Sequence, residues 1–175
     1  MKKLMIMCLF LTFGVTESKA GLLLEPYAGY SMRTYEGNDG EYDYDGATFG
    51  GRVGFQTFGL MFGGAYEMTP SITFTNNKND NEAEGGSMTK MGVFVGYDFP
   101  LFLRAWATYF LDVSSEADNG TDTSDTRDSA MSLGVGLTFL PLVSLNLEYR
   151  TYELSDILDA AGYKESEIFA SISLP

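Results

Sequence analysis

Three glutamates and three arginines stand in stretches that are otherwise apolar, small or aromatic: Glu25, Glu67 and Glu148, with Arg52, Arg104 and Arg150. Carboxylates brought close together are the apparatus of general acid–base chemistry. Carboxylates facing guanidiniums make ion pairs, and charges removed from water persist when paired, because an isolated one costs several kcal/mol. Each of these glutamates has an arginine to face, so the expected arrangement is an interior charge network and not a catalytic pair.

The chain contains no His, so neither a hydroxyl nucleophile nor a water has an imidazole to activate it. The single Cys, Cys8, falls in the first twenty residues, which leaves the rest without a disulfide, a thiolate or a Cys-based metal site. We therefore expect no catalytic residues, no cofactor and no protein-held metal. Glu116, Asp118, Asp122, Asp125 and Asp128 crowd one polar segment and are the best candidates for Ca²⁺ or Mg²⁺ contact. Their spacing matches no calcium loop, and solvated acidic loops are the commoner case. The net charge of −13 excludes a nucleic-acid partner, because phosphate binding needs a basic face.

The elements that must hold these residues are strands. Residues 1–20 form a secretory signal: Lys2 and Lys3, an apolar run from Leu4 to Val15, then Ser18-Lys19-Ala20 for cleavage after Ala20. Beyond it no apolar run reaches the ~18 residues of a transmembrane helix. Eight stretches of period-two alternation follow, at 22–33, 46–56, 58–69, 87–99, 102–113, 129–140, 143–153 and 165–174. Thr57, Pro100-Leu101 and Pro141-Leu142 are tight connections, and the alternate ones, 34–45, 70–86, 114–128 and 154–164, are long, polar and acidic. Ser155 caps an expected helical turn through Ala161 in the last of these.

One face of each stretch is apolar, as in Met91, Val93, Val95, Tyr97 and Phe99, or Leu103, Ala105, Ala107, Tyr109 and Leu111. The other face carries glycines, aromatics and all the charges, including Lys90, Arg104, Trp106 and Asp112. A water-soluble barrel would expose Phe94, Trp106 and Phe110 and would have no reason to sort its connections by length. In lipid the apolar face points out and the charges point in. The reading is all-β: an eight-stranded antiparallel up-and-down transmembrane β-barrel over 21–175. Mean hydropathy of −0.05 fits a fold in which only alternate strand residues meet lipid.

With strands and turns placed, the chain resembles the small OmpA/OmpX-type outer-membrane barrels. The resemblance is carried by Leu24-Glu25-Pro26-Tyr27-Ala28-Gly29-Tyr30, by Gly50-Gly51-Arg52-Val53-Gly54-Phe55, by Gly92 through Pro100 with Arg104-Ala105-Trp106, and by Leu145-Asn146-Leu147-Glu148-Tyr149-Arg150. It implies the fold and an outer-membrane location, with outer-membrane lipid and the barrel assembly machinery as partners; from the loops themselves we expect an extracellular partner that the resemblance does not name. The ending Ile172-Ser173-Leu174-Pro175 departs from the family's terminal aromatic residue, and we expect no peptidoglycan-tethering role. Barrel enzymes of this setting use His. The expected role is therefore structural and surface-interacting, the alternative being a narrow channel through the lumen.

Overall fold

The computed structural model describes residues 21–37, 40–76, 81–84, 86–100, 102–116, 127–140, 142–154 and 164–174. Ten strands account for most of them: β1 (Gly21–Gly37), β2 (Gly40–Thr57), β3 (Leu60–Thr69), β4 (Thr73–Asn76), β5 (Asn81–Glu84), β6 (Ser87–Phe99), β7 (Leu103–Glu116), β8 (Arg127–Leu140), β9 (Val143–Leu154) and β10 (Lys164–Ser173). Eight are antiparallel neighbours in the order β1-β2-β3-β6-β7-β8-β9-β10, and β10 pairs back onto β1. The wall is closed. Closure satisfies every edge, which a bilayer demands of a sheet.

The pairing registers fix the geometry. Leu23 lies opposite Gly54, and the path continues through Gly63, Phe94, Thr108, Ser132, Arg150 and Glu167. It returns to β1 at Arg33, ten residues beyond the start. Eight strands with that stagger tilt by about 40° and enclose a lumen that side chains fill.

Period-two alternation sets the two faces. Outward positions are apolar and exposed from Leu22 to Met32 on β1, and likewise on every other barrel strand. Tyr30, Phe49, Tyr66, Tyr109 and Tyr149 stand outward toward the end with long connections. Phe55, Phe58, Phe62, Tyr97, Phe99 and Phe102 do so toward the tight turns. These are the two aromatic girdles of a spanning barrel. The tilted rise from Leu22 to Met32 gives an apolar band about 25 Å tall.

Several sequence expectations change in detail. The first connection is no loop: β1 and β2 stay paired out to Gly37 and Gly40. Within 70–86, β4 and β5 form a hairpin laid against residues 42–45 of β2. Above the band, β1, β2, β4, β5 and the start of β10 thus make a small outer sheet. Phe58 and Gly59, not Thr57, form the β2–β3 turn, both with positive φ (50° and 82°), because one residue cannot reverse a hairpin. Asp112 is outward and exposed, not luminal. The β6–β7 register shifts between Met91 and Gly92, and this bulge leaves Leu111 and Asp112 both outside before Val113 turns in. The helical turn expected after Ser155 lies outside the described residues.

Candidate functional site: the luminal charge ladder

All six expected network residues point into the lumen and are buried, and four further charged residues join them: Arg33, Lys90, Glu165 and Glu167. From the tight-turn end outward the signs alternate without a break. Asp98 lies 3.7 Å from Arg104. Arg104 donates two parallel hydrogen bonds to Glu25, of 2.8 and 2.7 Å. Glu25 is 3.5 Å from Arg52, which donates to Glu148 at 2.6 Å. Arg150 follows, 3.1 Å from Glu148 and doubly bonded to Glu67 at 2.8 and 2.7 Å. Lys90 bridges Glu67 (3.3 Å) to Glu167 (3.1 Å). Arg33 closes the series, 3.2 Å from Glu167 and 3.4 Å from Glu165.

Strand order explains the reach of these pairs. β1 and β7, β3 and β9, and β6 and β10 are diametrically opposite, so Arg104–Glu25, Arg150–Glu67 and Lys90–Glu167 tie the wall across its full width. Neutral groups complete the carboxylates' shells: Tyr27 donates to Glu67 at 2.8 Å, Ser132 to Glu148 at 2.6 Å, and Tyr152 to Glu167. Aromatic faces line the guanidiniums. Arg52 lies 4.3 Å from the Trp106 ring and 4.9 Å from Tyr27, and Arg150 lies 4.2 Å from Phe169. The glycines make room for these rings: a Cβ on Gly50 would come within 2.6 Å of Tyr27, and one on Gly134 would collide with Trp106.

The ladder's buried members are five cations and five carboxylates and neutralise one another, while Asp98 at the tight-turn end is only partly buried. The net negative charge is consequently carried by residues other than the buried ladder. Segments 34–45, 70–86, 112–128 and 153–164 carry seventeen carboxylates against three cations, Lys78, Arg127 and Lys164. On the outer sheet Thr34 donates to Asp43 at 3.0 Å. Partial burial and the neighbouring Asp43 raise the Asp45 carboxyl above its ordinary range. Of the loop-cation candidates, Asp118, Asp122 and Asp125 lie outside the described residues, and Glu116 and Asp128 are described only as backbone at the ends of β7 and β8.

Arg33 shares the parity of Glu25 on β1, and Lys90, Glu165 and Glu167 fall on the luminal positions of β6 and β10, so alternation along each strand marks all four as luminal. What hid them from the network was register: Lys90 and Glu167 are far apart in sequence and meet only when the stagger is known.

The closed wall, the girdles and the filled lumen meet a direct match in known proteins. Residues 5–174 match the family described as outer membrane protein beta-barrel domain. The chain belongs to that family. It is an outer-membrane β-barrel. No curated protein matches it. Similar solved structures include Ail, the attachment invasion locus protein of Yersinia pestis, in complex with the heparin analogue sucrose octasulfate. That match has 11% identity and a TM-score of 0.60, and it covers 89% of this chain and 99% of the other. Neisserial surface protein A is similar at 15% identity and TM-score 0.54, over 88% of this chain and 98% of its own. At these identities the likeness is one of fold.

Proposed function

We propose that this outer-membrane barrel is a non-enzymatic anchor that displays an acidic surface outside the cell and uses it to hold a cationic partner. The observation that carries the reading is the partition of charge. The ladder's buried members balance five against five, and the outer segments hold seventeen carboxylates and three cations. A field of one sign concentrates counter-charged partners and speeds their encounter. The outer sheet supports the same reading, because a hydrogen-bonded extension above the girdle presents its side chains on a rigid element.

The polysulfated sugar bound to Ail does not transfer, since a polyanion meets like charge on these segments. Conduction is disfavoured by the ladder, whose ion pairs cross the lumen and whose guanidiniums are flanked by aromatic rings.

The test is binding of a short polylysine to the barrel in vesicles, with a polysulfated sugar alongside. Polylysine should bind and should weaken steeply between 50 and 200 mM salt, about the range over which such fields are screened. Neutralising Glu36, Asp43 and Asp45 to Asn or Gln should weaken it further. Equal binding of both polymers, or none of polylysine, overturns the proposal. Planar-bilayer recording decides the lumen: steady unitary currents that change on Lys90→Met would favour the channel.

A further inference from the structure

Six methionines follow residue 20, and the fold sorts them into two sets. Met61 and Met88 are luminal, each 1% exposed. Met32, Met68, Met91 and Met131 face outward, at 45%, 41%, 55% and 51% exposure. All four stand at the same end of the apolar band. On β1, β3, β6 and β8 the outermost outward-facing apolar residue of the strand is a methionine. Polar residues come next on β1 and β6, Thr34 and Thr89, while β3 ends at Thr69 and the β8 register shifts before Ser129. The opposite rim, built from such residues as Leu22, Leu60, Phe99, Leu103 and Leu137, has none.

Register pairs three of them with girdle aromatics: Phe49 opposite Met68, Tyr66 opposite Met91, and Tyr109 opposite Met131. Thioethers favour such aromatic neighbours. Leucine would serve lipid burial as well, so the concentration of methionine at one interface calls for chemistry that leucine lacks.

We infer that these four outward methionines form a sulfoxidation belt, the place where this barrel takes up oxygen from two-electron oxidants such as peroxide arriving outside the cell. The thioether sulfur attacks peroxide, the O–O bond breaks, sulfur gains one oxygen and is oxidised by two electrons, and the other oxygen leaves as water. The product is polar. On four of the eight strands it removes the outermost apolar position and shortens the band there by one outward step, about 5 Å along the barrel axis. The luminal pair is shielded by more than burial. Arg33 donates to the Met88 sulfur at 3.0 Å and Arg104 to the Met61 sulfur at 3.5 Å, which engages lone pairs that would otherwise attack.

Two measurements test the belt on the folded barrel in phosphatidylcholine vesicles. Hydrogen peroxide is added and sulfoxide is followed peptide by peptide by mass spectrometry. The four outward sites should oxidise at least about tenfold faster than Met61 and Met88. Equal rates, or faster reaction in the lumen, overturn the inference. Heat-modifiable gel migration is then compared for the parent and for M32L/M68L/M91L/M131L, a swap that conserves volume. Peroxide should lower the parent's unfolding temperature and leave the variant's unchanged. Equal losses in both would show that the belt is not where oxidation acts.

Discussion

Removing one charge from the ladder's inner end measures how strongly its members depend on each other. Glu25→Gln keeps the volume but leaves Arg104 without the carboxylate that accepts two of its hydrogen bonds, and leaves Arg52 without one neighbour. Both partners are buried, with Arg104 1% and Arg52 2% exposed. Breaking one side of a buried pair costs about 3–5 kcal/mol, most of it the penalty of the charge left behind. With an m-value of about 2 kcal/mol/M in urea, that is a fall of about 2 M in the unfolding midpoint. Removing Arg104 as well, in Glu25→Gln/Arg104→Met, restores the ladder's neutrality. The double variant should be more stable than the summed single losses by about 0.5–3 kcal/mol. The assay is urea titration in vesicles, read by gel migration without boiling. A Glu25→Gln midpoint within about 0.5 M of the parent, or strict additivity in the double variant, would refute the ladder's coupling.

Trp106 is the only tryptophan and lies in the lumen at 4% exposure, so brominated acyl chains should leave its emission nearly unquenched. Leu133→Trp in a Trp106→Phe background should be quenched strongly, and the reverse result would invert the assigned faces. Gly134→Ala, which drives a methyl into the Trp106 ring, should destabilise by about 1–3 kcal/mol in the same urea assay. A Cβ on Gly51 would meet the Glu25 carbonyl oxygen at an ordinary 3.7 Å, so Gly51→Ala should be nearly silent there. Secretion should yield a chain beginning at Gly21, the residue where β1 starts, as read by N-terminal sequencing.

Much of this was legible in the sequence because a barrel strand has only two faces. Parity assigns Glu25 and Arg52 to the lumen, and Leu24 and Val53 to lipid, without knowledge of any contact. Pro100 marks the β6–β7 reversal for a similarly local reason, since a proline brings no N–H to a ladder. Partnership was another matter. That Arg150 meets Glu67 depends on the ten-residue stagger, a property of closure that no single strand contains. Asp112 was misplaced because one extra residue in β7 breaks parity beyond it, and nothing in Phe110-Leu111-Asp112 announces a bulge. The continued pairing of β1 and β2 was obscured by the Gly, Asn and Asp that usually signal a loop.

The ladder also bears on how this sequence selects one closed wall among its near relatives. A slip of two residues at any seam keeps the lipid-facing side chains outward and the ladder's charges inside, so burial alone does not tell the right barrel from its neighbours. Such a slip displaces one strand against the next by about 7 Å. It would carry Glu25 away from Arg104, or Glu67 away from Arg150, and leave buried charges unpaired. The alternating charges thus act as a proofreading key for closure, rejecting errors to which the hydrophobic pattern is blind.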